Sequence, residues 1–202
     1  MAVKDHTLDP RITQAAREEF LAHGFQKASL HKIADRAGIT TGALYTRYKN
    51  KDALFCSLVE PLFQDIAVKS QPIRTLYEKI QACPSSSALL QAIRQEEQIY
   101  LDLLFDRYED CVLLFCKSSG SSLEKQIQQM MSQKSSETVS FFKSIARREL
   151  DYDGITLIMS QQFYYYQQIL QRGYSREKAA SCMKTVELFL ESGWKTIFER
   201  IL

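Results

Sequence analysis

The chain has 202 residues, enough for one or two domains with a sizeable core, and its 45% hydrophobic and 25% charged residues exclude a disordered polymer. A formal net charge of +2 says nothing about nucleic acid by itself, but residues 1–55 hold nine Lys/Arg against six Asp/Glu, and the remainder holds seventeen against eighteen. Glycine and proline are scarce, with seven and four, which favours helix over a turn-rich β fold.

Asp9-Pro10 opens a first helix, with Asp9 as N-cap and Pro10 at the first helical position. Ile12, Ala15, Ala16 and Phe20 then recur at helical spacing, and Gly24 fits the left-handed position that stops the helix, with Phe25 packing back on it. Ser29 caps a short second helix whose inner face is Leu30, Ile33, Ala34 and Ala37, and Gly38 ends it. Thr40 or Thr41 caps a third short helix that carries Leu44 and Tyr48 inward, and Asn50 caps a long fourth one. Two short helices around a glycine-containing turn are the signature of a helix-turn-helix.

Beyond Lys69 the pattern predicts longer helices. Pro72 starts one, Cys83-Pro84 and the serines after it form a loop, and Ala88–Asp106, Tyr108–Cys116 and Leu123–Arg148 follow. Asp153-Gly154 marks a further loop, Ile155–Gln171 a helix closed by Gly173, and Ser175 caps the last helix, which runs to Leu202. The five cysteines are scattered and odd in number, and no export signal precedes them, so reduced thiols in a cytoplasmic protein are expected. The longest apolar run, Val112 to Cys116, is far too short to span a membrane.

Enzyme chemistries are poorly supplied. No two glycines stand closer than Gly38 and Gly42, so neither a GxGxxG loop nor a P-loop exists. No histidine follows His31, which removes HExxH, di-iron and His-activated nucleophile arrangements from the larger part of the chain. No metal, cofactor or catalytic residue is expected. His23 and His31 are read as structural or surface groups.

The stretch Ala28–Phe55 resembles the DNA-binding domain of TetR-family regulators. Ile33-Ala34, Ala37-Gly38, Gly42, Leu44-Tyr45, Tyr48 and Lys51 followed by Leu54-Phe55 carry the resemblance, which covers residues 10–58 without a gap. Tyr48 stands where the family more often has Phe, and Arg47 where it often has His. The resemblance implies an all-α protein, with a three-helix helix-turn-helix domain at residues 1–55 and a larger helical ligand-binding and dimerisation domain at 56–202. In such a regulator the third helix enters the major groove. Thr40, Thr41, Gly42, Ala43, Tyr45, Thr46 and Arg47 would lie on or near the DNA side, with Thr hydroxyls and the Ala43 methyl toward base edges. Tyr45 and Lys51 are placed for phosphate, Arg47 for phosphate or guanine, and Ser29 for a phosphate or simply as a cap.

In the larger part, the last two helices are apolar over more than one face: Ile155, Ile158, Met159, Phe163, Tyr166, Ile169 and Leu170 on one, Met183, Val186, Phe189, Leu190, Gly193, Ile197 and Ile201 on the other, with Leu188, Trp194 and Phe198 beside them. The resemblance makes these a homodimer interface. A pocket for a small, largely apolar or aromatic effector is drawn from Tyr100, Leu104, Tyr108, Cys111, Phe115, Met130, Phe141, Phe163 and Tyr164, residues that serve equally well as core. The expected function is a repressor released from a palindromic double-stranded DNA operator by that effector; the alternative is a ligand-independent DNA binder governed by a protein partner.

Overall fold

The computed structural model describes residues 8–202, and the first seven residues of the expected N-terminal domain lie outside them. The described residues form nine helices and no strand: α1 (Leu8–Lys27), α2 (Leu30–Ala37), α3 (Thr41–Arg47), α4 (Lys51–Ala82), α5 (Ser86–Asp106), α6 (Tyr108–Cys116), α7 (Ser122–Ile145), α8 (Tyr152–Gln171) and α9 (Arg176–Ile201).

Caps set most of these boundaries. The side-chain oxygens of Ser29, Thr40, Asn50, Ser85 and Ser175 each accept the backbone N–H three residues on, at 3.5, 3.1, 2.7, 3.3 and 3.2 Å. Each bond satisfies a donor that a helix start leaves orphaned, a gain of about 1 kcal/mol. Expected boundaries fall elsewhere at four places: α7 ends at Ile145 rather than Arg148, and three others involve Asp9, Pro72 and Asp153-Gly154. Asp9 lies inside the first turn of α1 rather than at its cap, and its carboxylate accepts Arg47 Nε at 3.0 Å. Pro72 does not start a helix, because α4 runs through it; proline's φ is helical, so the cost is one backbone bond and local crowding, which burial of Ile73 and Ile80 helps offset. Asp153-Gly154 is the first turn of α8, since Asp151 accepts the N–H groups of both residues.

Two compact units divide the chain, and not by a single cut after residue 55. The first runs to Phe63 and takes in Glu109–Gln128; the second takes Gln64–Tyr108 and Gln129–Leu202.

In the first unit, α1 breaks at Gly24 as expected, although its ψ of 169° is extended rather than left-handed helical. Phe25 then turns back into an aromatic trio, its ring 6.3 Å from Phe20 and 5.3 Å from Phe55, with Phe20 and Phe55 edge-on at 4.8 Å. Ile12, Ala15, Ala16, Ile33, Ala34, Ala37, Leu44 and Leu54 are buried in the same unit. The α6–α7 corner completes the unit. Lys117 O accepts Phe25 N–H at 2.8 Å, Arg17 ion-pairs with buried Asp110, and Asp52 accepts both the N–H (2.8 Å) and the hydroxyl (2.6 Å) of Ser122.

The second unit has its own core, with Ile80, Leu89, Ala92, Phe142, Ile145, Ile155, Trp194, Phe198 and Ile201. Trp194 stacks on Phe198 at 5.6 Å, and both rings lie 5.8 Å from Phe142. The inward stripe of α9 is Met183, Leu190, Trp194, Phe198 and Ile201; Phe189, expected on the same face, is instead exposed. All five cysteines are free thiols. No helix among the described residues is long and apolar enough to cross a membrane.

Candidate nucleic-acid interface

The α2–α3 pair is held by buried small and branched side chains, Ile33, Ala34, Ala37 and Leu44. Gly38 makes the turn possible. At φ 69° and ψ 38° it sits in the left-handed region, its N–H returning to Asp35 O and that of Ile39 to Ala34 O, both at 3.0 Å. A side chain there would be strained and would also run into the Arg11 guanidinium.

With the inner face committed, the outer face is polar and open. Thr40, Gly42, Tyr45 and Thr46 are exposed, and Thr41 and Ala43 half-buried. Tyr45 leaves 52% of its surface in solvent, unusual for a large ring with so much core to join. Thr41 Oγ1 lies 3.1 Å from His31 Nδ1, which adds to this surface a histidine that sequence reasoning set aside. Thr46 Oγ1 donates to Gly42 O at 3.0 Å. Gly42 is inside a helix, where glycine costs about 1 kcal/mol against alanine. An added Cβ would nevertheless meet only Thr40 Oγ1, at an ordinary 3.8 Å. The fold therefore does not require glycine here.

The structure turns three other expected DNA-side groups toward the protein. Arg47, with 13% of its side chain exposed, is paired with Asp9. Lys51 Nζ donates to Gln26 O (3.1 Å) and Ala28 O (3.3 Å) and stands 4.8 Å above the Phe25 ring, so it holds the end of α1, where carbonyls attract a cation. Ser29 caps α2 while its N–H donates to the buried Glu19 carboxylate at 3.1 Å. Asp9 and the Gln26 and Ala28 carbonyls lie 23 to 38 residues from these partners, a pairing that helical period cannot signal. Tyr48 is half-buried rather than in the core.

The residues expected at an effector pocket divide between the two units. Cys111 and Phe115 belong to the first unit; Tyr100, Leu104, Tyr108, Met130, Phe141, Phe163 and Tyr164 belong to the second. Tyr164 and Met130 are exposed, Leu104 is core, and Phe141 packs on Tyr77 at 5.1 Å and on Phe142 at 5.8 Å. Phe163 lines an open groove of about 510 Å³ between α7 and α8, with Met131, Val139, Lys143 and several serines. Periodicity orders residues along a helix but does not say which helices oppose.

Glu97 illustrates the polar interior of the second unit. It faces Glu187 across a cavity of about 10 Å³ that Leu90, Ile93, Leu190 and Trp194 also line. Burial, then the charges of Glu187 and Glu96, push its carboxyl up from 4.5 to about 7. The folded protein thus keeps a proton that the unfolded chain has released, so stability from this group is full below about pH 4.5 and falls as pH rises through about 7. Glu97→Gln is expected to flatten that decline, by roughly 1–2 kcal/mol after solvent screening, in melting curves recorded against pH. An unchanged slope would rule out Glu97 as its source.

Comparison with known proteins bears on this geometry. Residues 12–58 match the family model for bacterial regulatory proteins of the tetR family. Similar proteins include the "Probable acrEF/envCD operon repressor" of Escherichia coli (strain K12), 31% identical over 78 residues that make up 34% of this chain and 36% of the repressor, so the match spans about a third of that relative. Among solved structures, a TetR-like transcriptional regulator from Rhodococcus sp. RHA1 aligns with 95% of this chain and 100% of its own at a TM-score of 0.65 and 16% identity. FadR from Bacillus subtilis in complex with stearoyl-CoA aligns with 92% and 98% at 0.58 and 17%, and both share the fold. The matched segment starts on the buried Ile12 and ends on the buried Leu58, so it takes in the aromatic trio and the open α2–α3 face together. Residues 12–58 are thus similar to the tetR family of bacterial regulatory proteins, and the chain as a whole shares its fold with these solved regulators.

Proposed function

We propose that the protein is a homodimeric transcriptional repressor that reads a palindromic operator with α3 and is released by a small, largely apolar or aromatic effector. The exposed α3 face carries this reading: Gly42 has room for a side chain it lacks, and Tyr45 stands out in solvent beside it. A missing Cβ that the fold does not need is explained by something outside the fold that approaches closely, and a DNA backbone or base edge fits. Thr40, Thr41, Ala43, Tyr45 and Thr46 would share that contact, while Arg47, Lys51 and Ser29 position the helix for it.

Dimerisation would use α8 and α9, where Leu157, Tyr164, Leu188 and Phe189 are 70, 53, 65 and 77% exposed. Apolar side chains of that size and exposure are expensive to leave in water, and a second copy would cover them. Two modules joined this way read two half-sites together. The effector domain would be the second unit; FadR shows that a related fold holds a ligand, stearoyl-CoA in its case. A preference of about 1–3 kcal/mol for the non-binding conformation is enough to change operator occupancy several-fold or more.

The test is Gly42→Ala. It is expected to raise thermal stability by about 0.5–1 kcal/mol and to lower affinity for a duplex selected from random DNA about tenfold. Tyr45→Ala is expected to weaken the same binding with stability unchanged. Unaltered affinity in both variants would remove α3 from the interface.

A further inference from the structure

Five side chains from four helices meet inside the second unit: Tyr77 on α4, Glu96 and Tyr100 on α5, Lys134 on α7 and Tyr166 on α8. Glu96 is the centre. With 9% of its side chain exposed, it accepts the Tyr77 hydroxyl on Oε2 and the Tyr100 hydroxyl on Oε1, each at 3.2 Å, and its Oε1 is ion-paired with Lys134 Nζ. Burial and the nearby carboxylates push both phenols far above their ordinary range, which keeps them protonated as donors. The Tyr166 ring stands edge-on to Tyr100 at 6.2 Å, and its buried hydroxyl makes no well-formed hydrogen bond, with Gln162 one turn back as a weak polar neighbour.

As a device for stability alone this arrangement is wasteful. Withdrawing a carboxylate and an ammonium from water costs several kcal/mol for each ion, and apolar residues of similar volume would pack the same helices at no such cost. As a device for recognition it is well composed. A carboxylate supported by phenol hydroxyls and flanked by aromatic rings is the environment that holds an ammonium group. The structure shows an ammonium in it already, the protein's own. Lys134 is suited to leave, being a compact charge on a flexible stem with 29% of its side chain exposed. The Tyr166 hydroxyl remains unspent for a second polar group.

We propose that Glu96, Tyr77 and Tyr100 form a binding site for a protonated organic amine, and that the Lys134 ammonium is its resident occupant, displaced when the amine of a ligand enters. Glu96 is paired with a cation in both states, so the exchange leaves no naked carboxylate in the core. The idea deepens the effector reading given above, and rests on it, by adding a positive charge to an otherwise apolar or aromatic ligand. Its test needs no DNA, so it fails or stands separately from operator release.

Lys134→Ala empties the site, and n-butylammonium chloride should refill it. In melting experiments on the full chain, the variant is expected to melt below the wild type. About 10 mM n-butylammonium should then raise its Tm by about 3–5 °C, while 1-butanol or sodium chloride at the same concentration does not. Adding Glu96→Gln to Lys134→Ala should abolish the rescue. Lys134→Met, which keeps an apolar stem, serves if the alanine variant does not fold. For the wild type, calorimetric titration with 4-phenylbutylammonium should show binding that Glu96→Gln removes. Equal response to the amine and to 1-butanol, rescue that survives Glu96→Gln, or no wild-type heat that depends on Glu96, overturns the proposal.

Discussion

Phe55→Ala is expected to cost about 3–5 kcal/mol and to abolish DNA binding by unfolding the first unit. Phe55 is fully buried, and its ring lies nearer to Phe20 and Phe25, at 4.8 and 5.3 Å, than those two lie to each other, at 6.3 Å. Truncation removes the transfer energy of a large ring and leaves a void. Lys51 and Asp52 precede Phe55 on the same helix, and both are engaged: one holds the end of α1, the other the start of α7. Those ties restrain the start of α4, which opposes closure of the void. Chemical denaturation followed by far-ultraviolet circular dichroism measures it. A loss below 1 kcal/mol would mean that the trio does not organise this unit.

Phe198→Ala should have an effect of similar size on the second unit, about 3–5 kcal/mol. Its ring is fully buried and stacks on Trp194 at 5.6 Å with an interplanar angle of 16°. Trp194 is the one tryptophan in the chain, so its fluorescence reports this core directly. The variant is expected to shift the denaturation midpoint to lower denaturant and the native emission to longer wavelength, as water nears the indole. An unshifted midpoint with an unshifted spectrum would show that Phe198 fills space without supporting the packing.

What could be read from the residues alone was what local chemistry decides. Ser29, Asn50 and Ser175 reveal helix starts because a side-chain oxygen and a backbone N–H three residues on are neighbours in any helix that begins there. Tyr108–Cys116 was legible as a helix for a related reason, with serines and Gly120 at its end. The α2–α3 face could be anticipated because Leu44 and Tyr45 must point in different directions on one short helix. Partners set by tertiary packing were not legible. Arg47 reads as a ligand for phosphate or guanine until Asp9 is brought to it, and Lys51 as a phosphate ligand until the Gln26 and Ala28 carbonyls arrive. Aromatic, sulfur-bearing or aliphatic character does not reveal which unit a side chain joins, and Cys111 and Phe115 fold with the first unit. Glu96, at the centre of the amine site, stands in sequence with Glu97, Asp102, Asp106 and Glu109 among acids that could bind a cation, although such a charge run is usually a solvated face. Pro72 misled because its usual place at a helix start is a preference, and a helix whose Ile73 and Ile80 are buried can carry it through.

The part played by residues 109–128 in the first unit bears on any attempt to transplant that unit. A fragment stopping near Phe63 would forfeit Asp110 from Arg17, the Lys117 carbonyl from Phe25 and Ser122 from Asp52. Chimeras that join the first unit to another helical domain at a single seam would therefore inherit an unfinished module. Two seams are needed, one within α4 and a second that brings the α6–α7 corner along with its own partners.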